Sequence, residues 1–133
     1  MSVGMLTITH HRLGQQLVDV ASRIFARPPE NLACYGVIED GDLDAALAEL
    51  RELCASLDCK DGLLILSDLY GATPYNLAKR LMREYPETTL VSGINLPMVV
   101  KLFNLQQRSR SQLAESLATN GRIGIIIEAG ESE

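Results

Sequence analysis

The sequence predicts an α/β fold in three layers, with a doubly wound, mostly parallel sheet carrying helices on both faces. Short apolar segments of strand length alternate with segments whose apolar residues recur at helical spacing, which is typical of this class. One segment, Leu63–Leu66, is apolar at every position, as expected for a strand that helices bury on both faces. The chain has 133 residues, of which 47% are hydrophobic and 22% charged, so we expect residues 1–133 to form a single domain.

The first half of the chain contains two strand–helix units. Met5–Thr9 is the first predicted strand, and the amphipathic helix after it ends before Arg27-Pro28-Pro29. Leu32–Ile38 is the second predicted strand. The turn Asp40-Gly41-Asp42 then supplies Asp42 as the N-cap of a helix whose apolar residues run from Leu43 to Leu57.

The second half begins with the same alternation. The strand Leu63–Leu66 leads to a helix with apolar residues from Leu77 to Tyr85. A fourth strand, Thr88–Ser92, leads through the loop Gly93–Pro97 to a helix over Met98–Phe103. Each unit thus returns the chain for another parallel strand.

The C-terminal part is less regular. A polar break at Gln106–Ser111 precedes a short helix around Leu113–Leu117, which Asn120-Gly121 ends. Ile123–Ile127 is the last predicted strand, and we expect it to pair antiparallel at an edge of the sheet. A polar tail, Gly130–Glu133, follows it.

Composition excludes several functions. The 12 Lys and Arg against 17 Asp and Glu give a net charge of −5, and no basic stripe offsets it, so we expect no nucleic-acid partner. The three cysteines show no metal-ligand spacing and indicate a reducing compartment. No basic leader and no apolar run of about 18 residues is present, so we expect a cytoplasmic protein without membrane insertion. We also expect neither a metal nor a cofactor.

The stretch Gly62–Asn76 predicts an anion site. Asp68 follows the strand directly, and Gly71 supplies conformational freedom to the turn. Thr73-Pro74 has the pattern of an N-cap followed by proline at the first helical position. Unpaired backbone N–H groups and the positive end of the helix dipole would favour a bound anion there.

Parallel strands end at one edge of a sheet, so three loops should meet there: Thr9–Arg12, Asp68–Thr73 and Gly93–Pro97. A histidine beside a carboxylate can act as an oriented nucleophile, because the carboxylate accepts one ring N–H and leaves the other nitrogen with its lone pair. The residue pattern alone leaves other interpretations open, in which His10 is a structural residue, Asp68 a loop cap and Thr73 only an N-cap.

Four segments give the chain a resemblance to a known family: I-T-H at Ile8–His10, Q-L-V at Gln16–Val18, S-D-L-Y-G-A-T-P-Y-N at Ser67–Asn76 and S-G-I-N-L-P-M-V at Ser92–Val99. The chain resembles, over nearly its whole length, the mannose-family enzyme IIA domain of the bacterial phosphoenolpyruvate-dependent sugar phosphotransferase system.

The resemblance implies a phosphoryl relay. His10 matches the phosphoacceptor, Asp68 the carboxylate that orients it and Thr73 the hydroxyl at the helix start, and we expect Gly71, Ala72 and Thr73 to bind the phosphoryl group. It further implies transfer from the histidine-containing phosphocarrier protein to a IIB component, and a homodimer.

Three differences from the family pattern leave alternatives open. His11 stands where a small residue is usual, Ala72 replaces a common glycine, and the chain ends near Glu133 without a IIB domain. We therefore expect either a transport component or a stand-alone regulatory phosphoacceptor. The related phosphotransfer subunit of dihydroxyacetone kinase systems has a similar first domain and is an alternative.

Two unrelated classes compete with this interpretation. A response-regulator receiver needs an acidic pair after its first strand and a lysine after its fifth, and this chain has Thr9-His10-His11 and Glu128-Ala129-Gly130 there. A non-catalytic small-anion-binding module would use only the helix start at Thr73. It would not need His10, so covalent labelling of that residue distinguishes the two.

Overall fold

The computed structural model describes residues 2–38, 41–105 and 108–131. Asp40 of the predicted turn, Gln106 and Gln107 of the polar break and Ser132 and Glu133 of the tail lie outside these ranges. Four strands and five helices occupy the described residues, in the order β1 Gly4–His10, α1 Leu13–Phe25, β2 Leu32–Val37, α2 Leu43–Ala55, β3 Leu63–Ser67, α3 Thr73–Met82, β4 Thr88–Ser92, α4 Leu96–Leu102 and α5 Arg110–Ile123.

The four strands form one parallel sheet in the order β2-β1-β3-β4. In the register of the sheet, Met5 of β1 lies beside Leu32 of β2 on one side and Leu64 of β3 on the other. The chain first moves outward from β1 to β2 and then crosses back to place β3 on the opposite side of β1. The strand order therefore reverses between β1 and β3, and ligand sites of doubly wound folds lie at such a reversal.

Helices cover both faces of the sheet, as the sequence predicts. On one face, α2 and α3 bury residues such as Leu50 and Leu77 against Ile8 and Ile65. On the other, α1, α4 and α5 bury Val18, Val99 and Leu117 against Leu64 and Leu66. β3 is thus buried at every position, which explains its uninterrupted apolar sequence.

The predicted antiparallel last strand is wrong. Ile123 is the last residue of α5, and residues 124–130 have no regular secondary structure, so the sheet of the described residues is entirely parallel. A capping box of Ser109 and Gln112 begins the helix, Leu117 anchors it in the core, and it runs through Asn120-Gly121 to Ile123. The three isoleucines after it are 75%, 74% and 91% exposed.

In the described ranges, no helix combines the length and the apolar character that crossing a membrane requires.

Candidate functional site

A histidine and an aspartate meet at the carboxyl ends of the two central strands. His10 is the last residue of β1, and Asp68 follows the last residue of the adjacent β3. Asp68 Oδ2 lies 2.8 Å from His10 Nδ1 and also accepts a hydrogen bond from the His10 backbone N–H at 3.0 Å. The His10 side chain is 38% exposed and that of Asp68 only 10%. The carboxylate is thus largely covered by protein, whereas the imidazole ring is accessible.

The carboxylate is held in its charged form. Burial raises the pKa of Asp68, but hydrogen bonds from the His10 backbone, the His10 ring and the local backbone outweigh it, and the net pKa lies below its ordinary value. An ionised carboxylate can only accept hydrogen bonds, so Nδ1 carries the ring proton. In a neutral ring Nε2 then has the free lone pair.

The backbone around His10 is fixed on both sides. The Thr9 hydroxyl accepts a hydrogen bond of 2.9 Å from the Gly14 N–H in the first turn of α1, so β1 and α1 are joined across the loop. His11 has a φ of 47° and donates its N–H to the Val37 carbonyl at 3.0 Å. A Cβ on Gly36 would overlap the His11 carbonyl oxygen, so only glycine fits there.

A tight turn joins Asp68 to α3. The Ala72 N–H bonds the Leu69 carbonyl at 3.2 Å, and Gly71 has a φ of 82°, which favours glycine as the sequence predicts. Ala72 has a φ of −81°, so it requires no glycine. The Asn76 side chain closes the turn by donating to the Gly71 carbonyl at 3.1 Å.

The predicted N-cap is displaced by one residue. Ala72 occupies the N-cap in an extended conformation, Thr73 is the first helical residue and Pro74 the second. The Thr73 hydroxyl therefore caps nothing in α3 and lies exposed. The N–H groups in the first turn of a helix have no acceptor within the helix. Since Pro74 has no N–H, Thr73 and Tyr75 supply these groups in α3.

A cleft of ≈ 460 Å³ brings His10 and Thr73 together. Its remaining lining comes from the end of β2 and from α2, including Tyr35, Ile38 and Glu49. The sequence alone indicated no role for these residues. Only the strand order could have indicated them, because β2 is the neighbour of β1 and its end therefore lies beside His10.

The third predicted loop, Gly93–Pro97, contacts the end of β3. The N–H groups of Gly93 and Ile94 both donate to the Ser67 carbonyl at 3.0 Å, which fixes the end of β3 just before Asp68. Asn95 caps α4 by accepting the Met98 N–H at 3.0 Å. The loop meets the end of β3 as predicted, but it is not among the residues that line the cleft.

Within the described ranges, no group of three or more His, Cys, Asp or Glu side chains is placed to hold a metal ion. What the site does offer is an oriented imidazole, a charged carboxylate and a helix N-terminus. Together they can accept an electrophilic, anionic group on nitrogen.

Comparison with known proteins agrees with this chemistry. The family model described as "PTS system fructose IIA component" matches residues 4–119. The "PTS system mannose-specific EIIAB component" of Escherichia coli K12 is 24% identical over 127 residues, which is 94% of this chain and 39% of that protein. This chain therefore spans about two-fifths of the length of such curated relatives.

Two solved structures have the same fold. The mannose/sorbose specific IIA subunit of the phosphotransferase system from Enterococcus faecalis superposes with a TM-score of 0.84, at 23% identity and with 98% of each chain covered. The phosphotransferase system component EIIA from Streptococcus agalactiae gives a TM-score of 0.79 at 20% identity, covering 94% of this chain and 96% of that one.

Proposed function

The chain belongs to the mannose-family IIA components of the phosphotransferase system, and we propose from this that it relays a phosphoryl group through His10 in the cytoplasm. The observation that carries the proposal is the 2.8 Å contact between His10 Nδ1 and Asp68 Oδ2. It leaves Nε2 as the ring nitrogen that attacks. Because the family belongs to a phosphotransferase system, the proposed electrophile is the phosphorus atom of a phosphorylated donor.

In the proposed transfer, the His10 ring is the only group of this chain that forms a covalent bond to phosphorus. The lone pair of Nε2 attacks phosphorus, the new N–P bond forms, and the bond between phosphorus and the donor's nitrogen breaks with its electron pair returning to the donor. The His10 ring gains positive charge as the bond forms, and Asp68 stabilises that charge through Nδ1–H. The Thr73 hydroxyl and the N–H groups of the first turn of α3 face the phosphoryl oxygens in this proposal.

The proposed donor is the histidine-containing phosphocarrier protein, and the proposed acceptor is a IIB component. A protein donor must bring its own histidine in line with His10, which calls for exposed apolar surface beside the site. Leu69 and Tyr70 are 61% and 76% exposed in the turn after Asp68, and the Tyr70 ring packs on Tyr75 with centroids 4.7 Å apart. Leu96, the first residue of α4, is half-buried.

We further propose a homodimer that uses the C-terminal isoleucines. Three consecutive isoleucines, Ile125, Ile126 and Ile127, are at least 74% exposed, and β4 has one unpaired edge within the described sheet. Pairing this segment with β4 of a second copy would cover both. Ile126→Asp should shift the mass measured by light scattering from dimer to monomer, whereas Val20→Asp on α1 should not. A monomeric wild type would contradict the dimer.

The relay is tested by labelling. Incubation with phosphoenolpyruvate, enzyme I and the phosphocarrier protein should add one acid-labile phosphoryl group, which His10→Ala abolishes and His11→Ala largely retains. Labelling lost only in His11→Ala would move the acceptor to His11. Unlabelled wild-type protein that still binds sulfate or phosphate at α3 would instead indicate a non-catalytic anion-binding module.

Transfer from pre-phosphorylated carrier should also survive excess EDTA. Exchange between two histidines requires no bound cation on this chain, and the acidic side chains of the described site form no metal cluster. Loss of this isolated step in EDTA would contradict the proposed mechanism.

A further inference from the structure

A second cavity lies at the opposite end of the sheet from His10. It has a volume of ≈ 240 Å³ and is lined by Met5 at the start of β1, Leu32 at the start of β2, and Phe103 and Leu113 from the helical layer. Met5 and His10 are five positions apart on β1, so this cavity is roughly 17 Å from the phosphoryl site. It shares no lining residue with the His10 cleft.

Two guanidinium groups, from Arg27 and Arg108, stand at this apolar cavity, with Glu30 as the one carboxylate among its lining residues. In the part of the chain that the structure describes, no ion pair joins either arginine to a carboxylate. The chain as a whole carries a charge of −5, so a site with two cations and one anion is a local exception.

The first of these cations is held in place before any ligand arrives. The Arg27 guanidinium lies 5.8 Å from the ring centroids of both Phe25 and Phe103, which stack on each other at 5.6 Å. Its backbone is tied to α1, since Arg27 N–H donates to the Ser22 carbonyl at 3.1 Å and the Ser22 hydroxyl donates to the Arg27 carbonyl at 2.5 Å. A preorganised guanidinium loses little entropy on binding.

We propose that this cavity binds a small carboxylate with an apolar body. The carboxylate pairs with Arg27 and Arg108 in the fork geometry that guanidinium groups offer, and the apolar body packs on Met5, Phe103 and Leu113. Inorganic phosphate can pair with the same two arginines but has no apolar body to pack on the apolar side chains, so we expect it to bind more weakly. The site is independent of the phosphoryl relay, since no residue assigned to that reaction takes part.

Phenylacetate is a suitable probe, because its ring and carboxylate have about ten non-hydrogen atoms and an expected Kd on the order of 1 mM. Amide chemical shifts of the full chain would be followed with phenylacetate, with neutral 2-phenylethanol and with inorganic phosphate. Phenylacetate should shift the signals of Met5, Leu32 and Phe103. The other two compounds should bind at least about tenfold more weakly, because each lacks one half of the recognition.

Arg27→Gln should weaken phenylacetate binding about tenfold, as expected for a lost charge-assisted contact. Arg23→Gln is the matched control, because this exposed arginine lies in the last turn of α1 and does not line the cavity. The proposal is overturned if phenylacetate causes no shifts at about 10 mM, if phenylethanol binds as well as phenylacetate, if the shifts cluster around His10, or if the two arginine variants behave alike.

Discussion

Asp68 contacts one ring nitrogen of His10, Nδ1, and in the proposed relay leaves the other to react. Its Oδ2 receives both the backbone N–H and Nδ1 of His10, and its Oδ1 receives the Leu69 N–H at 3.0 Å. The family resemblance implied that Asp68 orients His10, and the sequence placed both residues at the ends of strands. It could not predict the double contact through one oxygen, because that depends on the register of β1 against β3.

Asp68→Asn should slow single-turnover phosphoryl transfer on the order of 10²–10⁴-fold, because the amide no longer stabilises positive charge on the ring. Asp61→Asn is the matched control. Asp61 precedes β3 as Asp68 follows it, and its carboxylate accepts a hydrogen bond from the Ser2 backbone N–H at 2.6 Å, far from the site. Wild-type transfer by Asp68→Asn would show that Asp68 is a loop cap.

Stability should depend on pH through the same carboxylate. The pKa of Asp68 is lowered in the folded protein, so its ionised form stabilises the fold. That contribution is complete above the unfolded pKa of about 3.9 and disappears as the pH falls through the lower folded pKa. Urea unfolding from pH 7 to pH 2 should therefore show the wild type losing its advantage over Asp68→Asn below about pH 4. A constant difference between the two proteins would contradict the assignment.

The elements that meet at the site were predicted more accurately than their ends. The sequence located the strands, Gly71 and the Asp42 cap, whose side chain accepts the Asp44 N–H at 2.9 Å. It placed the start of α3 one residue late. A Thr-Pro pair can occupy either the N-cap and the first helical position, as predicted, or the first two helical positions, as observed. The conformation of Ala72, which local propensity does not fix, selects the second.

The start of α3 implies a specific phenotype for Thr73. Thr73→Ala should leave the thermal midpoint nearly unchanged, because the hydroxyl caps nothing in α3, and should slow transfer by up to about tenfold for one lost hydrogen bond. Thr73→Ser should transfer at the wild-type rate.

Thr88→Ala provides the comparison for Thr73. The buried Thr88 hydroxyl donates to the Tyr85 carbonyl at 2.5 Å, so its loss should cost about 1 kcal/mol of unfolding free energy. Transfer per folded molecule should be unaffected. A Thr73→Ala variant that lost stability without slowing transfer would contradict the assigned role.

Gly36 should be required for the position of His10. Gly36→Ala forces the His11 carbonyl away from β2, so we expect slower transfer with little change in carrier affinity. In Gly4→Ala the new Cβ would lie 2.5 Å from Cys59 Sγ at the other end of β1, so that variant should lose stability alone. Single-turnover rates across carrier concentrations separate the two effects, and equal rates for Gly36→Ala and wild type would remove Gly36 from the site.

The whole molecule shows where pattern analysis succeeds and where it stops. Alternation of strands and helices predicted a doubly wound, mostly parallel three-layer fold and placed His10 and Asp68 at one edge of its sheet, and the family resemblance implied their pairing. The isoleucine-rich segment Ile123–Ile127 predicted a strand, yet strand propensity is realised only when a segment pairs, and among the described residues this one pairs with no strand of the sheet. The cleft wall from β2 and α2 was missed because it depends on strand order.

The most direct test of the central claim is ¹H–¹⁵N NMR of the histidine rings in the phosphorylated protein. Because Asp68 holds Nδ1 of His10 at 2.8 Å, the phosphoryl group should be found on Nε2 of His10, with Nδ1 still protonated. A phosphoryl group on Nδ1 of His10, or on either nitrogen of His11, would contradict the account.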